Sequence, residues 1–398
     1  MFKDIIGHQA PLRALRRAIH SGRIPNAYLF VGPPKVGKTT AALQFAKALN
    51  CERNGRAQGS APTAEEIDCC DECDTCRKFD QFNHADLMVL LPRTSDTKKK
   101  GDGDEEAAPA AGEEEKPLDI EGTMITTGQV ERLVEHSALK PSRARYKVYI
   151  ITAAETMNPS AANRLLKTLE EPPPQTLLIL TASNLGALLP TIISRCQTLN
   201  FRPTTTQELE QRLVERFPGA DPAQVHTLAS LSGGRPGWAI SMLQCPNIFE
   251  LRTRLLDQCV QLPGMPMVRC LALGEILVEA AEAWWLATND PEVGEKALKS
   301  YRDRVLRTRM NEVLDLFTSW FRDLMVTIGD PNSPLIVNAD RREDLQRVAP
   351  LYTLQACQRV CGYLEEMKRQ LRQNANLRLA AEMAALRMLS AAPTGEAK

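Results

Sequence analysis

The sequence predicts an α/β domain organised on a phosphate-binding loop, with an inserted metal module and an all-helical region after it, and three observations predict this. The apolar run Ala27-Tyr-Leu-Phe-Val31 leads into Gly32-Pro-Pro-Lys-Val-Gly-Lys38-Thr39, which matches GxxxxGK[ST]. Cys51 and Cys70-Asp-Glu-Cys73-Asp-Thr-Cys76 follow shortly afterwards. Beyond Arg202-Pro203 strand signals vanish and apolar residues recur at helical spacing.

The first element is a short apolar strand, and Thr39–Leu49 continues with apolar residues at helical spacing, so the segment reads strand, loop, helix. In such a loop the backbone N–H groups and the helix N-terminus cradle phosphates. Gly32, Gly37, Lys38, Thr39 and Thr40 are the candidate nucleotide-binding residues. Lys38 would meet the β/γ oxygens and Thr39 would ligate Mg²⁺. Lys35 stands where many such loops carry glycine, a cost if its φ is positive.

The cysteines come next. Two successive CxxC steps fold thiolates back toward one point, and Cys51, at the end of the preceding helix, completes the tetrahedron that Zn²⁺ prefers. The candidate ligands are Cys51, Cys70, Cys73 and Cys76, in a module spanning about 51–80, with Cys69 as an alternative to Cys70 or Cys51. Without a metal, three thiols on one polar loop would be oxidisable liabilities. No histidine lies among the four and no acid is positioned as a base, so the zinc reads as structural.

Three more buried strands are expected at Leu87–Leu91, Val148–Ile151 and Leu177–Thr181, alternating with helical stretches such as Ser160–Glu170. This alternation signals a parallel sheet with helices on both faces. Between Arg93 and Gly122 the composition collapses into lysine, glutamate, glycine and alanine runs, which reads as a disordered acidic insertion at about 93–122. Hydrolysis of a bound nucleotide needs an acidic pair at a neighbouring strand end. Here Lys147–Ile151 ends in Thr152-Ala153-Ala154-Glu155. The pair is missing, and Glu155 reads as a solvated acid at a helix start.

Thr206–Phe217, Pro222–Leu231 and Pro236–Leu243 read as three short helices of a small domain at 203–245. Leu306, Met310, Leu314, Phe317, Phe321, Leu324 and Ile328 then share one helical face, as do Leu354, Cys357, Cys361, Leu364, Met367 and Leu371. They place a helical domain at 246–392, followed by a tail at 393–398.

A chain of 398 residues is long enough for two or three domains. Lys+Arg and Asp+Glu both number 49, and this neutral balance disfavours tight nucleic-acid binding by the chain alone. The first residues lack a signal peptide's apolar run and no stretch approaches a membrane span, so a cytoplasmic protein is expected. Its 11 cysteines then read as metal ligands plus core thiols such as Cys259, Cys270, Cys357 and Cys361.

Together these residues resemble the AAA+ clamp-loader family, on the side of its delta-prime type. The resemblance covers almost the whole chain: Ile6-Gly-His-Gln9, the phosphate loop, the cysteine knuckle, Asn83-His-Ala-Asp86, Ala161-Ala-Asn-Arg-Leu-Leu-Lys-Thr-Leu-Glu-Glu-Pro-Pro173, Ser194-Arg195-Cys196, Trp320-Phe-Arg-Asp-Leu324 and Asn374-Ala-Asn-Leu-Arg-Leu379. The leucine-lysine-glutamate-glutamate-proline run and the serine-arginine-cysteine triplet are its specific parts. It implies a RecA-like AAA+ domain at 1–202 with the zinc module inserted, a helical lid at 203–245 and a helical collar at 246–392 through which five subunits form a ring. It also implies that Arg195, next to Ser194, reaches the ATP site of an adjacent subunit as an arginine finger. The implied partners are gamma/tau and delta subunits, the sliding clamp and, through the assembly, primed-template DNA. Thr152 and Ala153 in place of the acidic pair fit a subunit that does not hydrolyse ATP, although its loop is complete enough to hold ATP and Mg²⁺. In Gly233-Gly-Arg235-Pro-Gly237 an arginine stands near the place of a phosphate sensor. The rival readings are an ATP-hydrolysing gamma-like subunit and, from another class, a zinc-dependent nucleic-acid-binding protein.

Overall fold

Five parallel strands form the main sheet in the computed structural model, which describes residues 1–55, 63–94, 123–245, 247–289, 291–373 and 375–391. The strands are β1 (Ala27–Val31), β2 (Leu87–Leu90), β5 (Lys147–Ile151), β6 (Thr176–Ala182) and β7 (Gln197–Asn200), in the order β2-β5-β6-β1-β7. Two short strands, β3 (Arg93–Thr94) and β4 (Thr123–Met124), pair antiparallel on either side of the acidic segment. Residues 95–122 of that segment and the tail at 393–398 lie outside the described residues.

Alternation along the central strands explains why both faces are covered. Tyr28, Phe30, Val148, Ile150, Leu177 and Ile179 point to one face, where they pack with α1 (Gln9–Ser21) and α2 (Lys38–Asn50). Their neighbours Leu29, Tyr149, Ile151, Leu178 and Leu180 point to the other, against α4 (Thr127–Ser137) and α5 (Pro159–Glu170). All seven residues of β6 are buried, the pattern of a strand covered on both sides. The edge strand β7 was not legible as a strand, because three of the four residues of Gln197-Thr-Leu-Asn200 are polar and the strand is only partly covered. Two further helices of this region are α3 (Asp74–Asp80) and the single turn α6 (Pro190–Ile193).

The described residues fall into two compact units, one of residues up to Arg212 with Gly234–Gly237, the other of Leu213–Gly233 with residues from Trp238 on. The helices α7 (Thr206–Arg216), α8 (Pro222–Leu231) and α9 (Pro236–Leu243) occur where their polar or proline starts place them. The second unit continues with α10 (Asn247–Gln261), α11 (Cys270–Thr288), the long α12 (Pro291–Gly329), α13 (Arg342–Val348), α14 (Leu354–Arg372) and α15 (Leu377–Ala391). Its core holds Trp284, Phe317, Trp320 and Phe321 together with Cys259 and Cys357. Buried Asp323 accepts the N–H groups of Val337 and Asn338 and the Asn338 amide. Among the described residues, no helix is long and apolar enough to cross a membrane.

Candidate nucleotide, metal and arginine sites

Because the strands run parallel, the C-terminal ends of β5, β6 and β1 lie side by side, with Val31 level with Ala182. Ligands of such sheets bind at this edge. The phosphate loop leaves β1 there. Gly32 donates its N–H to Ala182 O at 3.1 Å, and a Cβ on it would stand 2.1 Å from the carbonyl oxygen of Phe201, so only glycine fits. Lys35 has φ +59°, the left-handed conformation that glycine adopts freely and lysine at a cost. Its carbonyl accepts the Gly237 N–H at 2.9 Å, which ties the Gly234–Gly237 segment of the same unit to the loop. Lys38 is buried and donates two N–H groups to the carbonyls of Gly32 and Pro33, at 2.5 and 2.7 Å, so the ammonium already spans the loop. Burial pulls its pKa down to about 8, and the Glu155 carboxylate opposes that pull. Thr39 and Thr40 are exposed at the start of α2. His8 donates from Nε2 to Val36 O at 2.8 Å and lines a neighbouring cavity of about 630 Å³ with Asn200, Arg202, Thr204 and Glu208.

At the end of β5 no carboxylate follows the strand directly. Buried Thr152 spends its hydroxyl on Leu90 O at 3.1 Å, and Ala153 has no side-chain polar group. Ala153 instead takes φ +46° and turns the chain sharply into the 3-10 turn Ala154–Thr156. The turn brings Glu155 back over the strand ends, where Oε1 accepts the Ser183 N–H at 2.8 Å and Oε2 is buried with no hydrogen-bond partner. Glu155 is thus an acid at a helix start, as its position suggested, but it is half-buried and bonded to Ser183 rather than fully solvated. The signal that sequence reasoning missed is the left-handed alanine, which spacing does not reveal.

The metal candidates converge at the other end of α2. Cys51 is the residue that closes that helix, and Cys73 is the N-cap of α3. The four thiols of Cys51, Cys70, Cys73 and Cys76 lie within 4.8 Å of one another, and Cys70 and Cys76 are 3.9 Å apart. A tetrahedral zinc with bonds near 2.3 Å sets its sulfurs about 3.8 Å apart, so the set fits. The N–H groups of Cys73 and Cys76 point at the sulfurs of Cys70 and Cys73. A bond from the Cys76 thiol, aided by N–H groups of Arg53, Asn54 and Cys70, holds the Cys51 thiol below the usual thiol range. Cys69 is outside the set: its single S–H has Gln44 Oε1 at 3.2 Å and Asp71 Oδ1 at 3.0 Å as acceptors. Lys47, buried on α2, pairs with Asp71 and Asp80 at 2.5 and 2.7 Å and so fastens the cysteine segment and α3 to the phosphate-loop helix.

Arg195 lies on the opposite edge of the sheet. In the register of β1 and β7, Gln197 is level with Tyr28 and Asn200 with Val31, so Arg195 sits before the N-terminal end of β7. The three residue steps from Tyr28 to Val31 alone separate it from the start of its own phosphate loop by about 10 Å along the strand. Its guanidinium is one-third exposed, donates to Thr191 O at 2.9 Å and pairs with Glu170 Oε1 at 2.5 Å. Glu170 is the first glutamate of the leucine-lysine-glutamate-glutamate-proline run, a partnership that sequence did not disclose. Ser194 caps α6 and donates from Oγ to Thr191 O, a local structural contact.

A family model described as DNA polymerase III, delta subunit, matches residues 7–205, half of the chain. The chain belongs to this clamp-loader family. The delta' subunit of DNA polymerase III from Bacillus subtilis is 32% identical over 221 residues, 56% of this clamp-loader chain and 55% of that one. The tau subunit of the same organism is 31% identical over 247 residues, covering 61% and 37%, and Escherichia coli tau is 30% identical over 245 residues, covering 61% and 32%. The chain thus spans between 32% and 55% of the length of these relatives. A solved gamma subunit-related protein from Thermotoga maritima aligns over 95% of this chain and 98% of its own, with 16% identity and a TM-score of 0.42.

Proposed function

We propose that the chain is a non-hydrolysing, delta-prime-type subunit of the replicative DNA polymerase III clamp loader, which donates Arg195 in trans to a neighbouring ATPase subunit. The observation that carries this reading is the separation of Arg195 from its own phosphate loop by the length of the strands. An arginine on the far edge of the sheet is useful only to another subunit's nucleotide. There a guanidinium stabilises charge on the γ-phosphate and senses its presence. The stripped end of β5 supports the second half of the reading: Thr152 bonded to Leu90 and apolar Ala153 neither hold Mg²⁺ nor orient water. A gamma-like hydrolysing role requires carboxylates that these positions lack.

On this reading the partners are gamma/tau and delta subunits, the sliding clamp and primed-template DNA, met in the cytoplasm. Zinc held by Cys51, Cys70, Cys73 and Cys76 stabilises a module within the AAA+ domain at 1–202. Residues 203–245 serve as lid and 246–392 as collar. Steady-state ATPase assays test the assignment. The chain alone should show background turnover, and adding it to tau/gamma-type subunits should raise theirs. Robust turnover by the chain alone that disappears in Lys38→Ala would overturn the assignment.

A further inference from the structure

We propose that Glu170 is a positioning residue for Arg195: it holds the guanidinium against this chain's own surface and competes for it with the γ-phosphate in the neighbouring subunit. This rests on the reading of Arg195 as a trans arginine finger and adds what the finger does before that phosphate arrives. The two residues come from different elements at one edge of the sheet. Glu170 closes α5 ahead of β6, and Arg195 follows α6 ahead of β7. The end of α5 calls for a cation. A helix C-terminus carries partial negative charge on its unpaired carbonyls, so an acid there is unfavourable until a cation offsets it. Glu170 and the C-cap Glu171 stand together at that end, and Pro172-Pro-Pro174 stops the helix from continuing past them. Against these two acids the last turn holds one basic residue, Lys167. Arg195 supplies a second.

The geometry shows which atoms are engaged. Nη2 lies 2.5 Å from Glu170 Oε1, and Nη1 donates at 2.9 Å to Thr191 O, a carbonyl of the single turn α6. One guanidinium thus joins the C-terminal ends of two helices, and both of its terminal nitrogens meet acceptors of its own chain. Those nitrogens are also the donors with which an arginine grips phosphate oxygens. A carboxylate that stayed on Nη2 beside a γ-phosphate would add an anion next to the charge that the finger must offset. Pairing with Glu170 and binding to the phosphate therefore oppose each other. The pair is weak enough to give way: its side chains are 33% and 48% exposed, and a solvated ion pair of this kind shifts an equilibrium by no more than about fivefold. A γ-phosphate, with more charge and more acceptor oxygens, outcompetes it.

Glu170→Gln removes the charge at a half-exposed position, so the chain should fold, which thermal melting checks. In the full chain alone, an arginine-selective dicarbonyl reagent should modify Arg195 about two- to fivefold faster in this variant than in wild type, with exposed Arg143 as the internal reference. In a loader reconstituted with tau/gamma-type and delta subunits whose own fingers are substituted, Glu170→Gln should lower the KM for ATP at the neighbouring site by about two- to fivefold and leave kcat in place. High salt should shrink that difference. The double variant Arg195→Ala/Glu170→Gln should match Arg195→Ala, because Glu170 acts only through the guanidinium. The proposal is overturned if Arg195 reacts equally fast in both chains, if Glu170→Gln leaves KM unchanged or lowers kcat, or if its effect persists without Arg195. Arg195→Ala that costs no turnover overturns the finger reading and this proposal with it. Arg195→Ala that costs turnover while Glu170→Gln changes nothing overturns this proposal alone.

Discussion

Helix α2 has a ligand site at each end, and the two differ in how they are assembled. At its C-terminal end, Cys51 meets three cysteines from one short segment, and all four thiols converge within 4.8 Å. At its N-terminal end the loop is also formed, with Lys38 held across it, but what that loop can do depends on residues from other strands. Those residues are Thr152 and Ala153, where a hydrolysing site needs acids, and Glu155, which follows a left-handed turn and accepts the Ser183 N–H. A site made from one helix end and one short segment packed against it is complete or absent. A site made from several strands can keep its binding half and lose its catalytic half.

The comparison is broken most severely at the metal end. Purified chain should contain one tightly held zinc, and Cys73→Ser or strong chelation should remove it. Structural zinc sites contribute about 10–16 kcal/mol of coupled folding and binding free energy. Limited proteolysis should therefore open the module at about 51–80 while the helical unit stays protected. Stoichiometric metal analysis that found none would remove the assignment.

The middle of α2 gives the next largest effect. Lys47→Met takes away the cation shared by Asp71 and Asp80, both partly exposed, so the loss of stability should be about 2 kcal/mol, below the value for a fully buried pair. Denaturant unfolding measures it. If the two ends are independent, nucleotide affinity should be unaffected.

At the phosphate end the smallest effect comes from pH. The free Lys38 ammonium has its pKa pulled down to about 8, and a bound phosphate would raise it again. Affinity should then be at its full value below about 8 and fall as pH rises through it, by up to about tenfold per pH unit. A profile flat to pH 10 in wild type would show that Lys38 does not meet phosphate.

The same contrast explains what sequence could disclose. The phosphate loop, the four cysteines and the buried strands around Tyr28, Ile150 and Ile179 were legible because each is set by local spacing. The exclusion of Cys69 was not, since its fate depends on Gln44 and Asp71. Strand β7 escaped because an edge strand needs no apolar run. The bond from Ser183 to Glu155 was not legible because the positive φ falls on an alanine, which gives no warning of a turn. Lys35 was the opposite case: glycine's usual place in such loops announced the conformation, and φ is +59°. The pairing of Arg195 with Glu170 joins residues 25 positions apart in sequence and requires the fold.

The most direct test of the account is Arg195→Ala in a reconstituted loader with tau/gamma-type and delta subunits, read as DNA-stimulated ATPase with the other subunits' own arginine fingers substituted separately. The chain should fold and assemble normally. Turnover at the neighbouring site should fall by a factor on the order of 10³, with little further loss when that neighbour is itself made hydrolysis-dead. Wild-type turnover from the Arg195→Ala assembly would contradict the account and leave Arg195 a surface residue paired with Glu170.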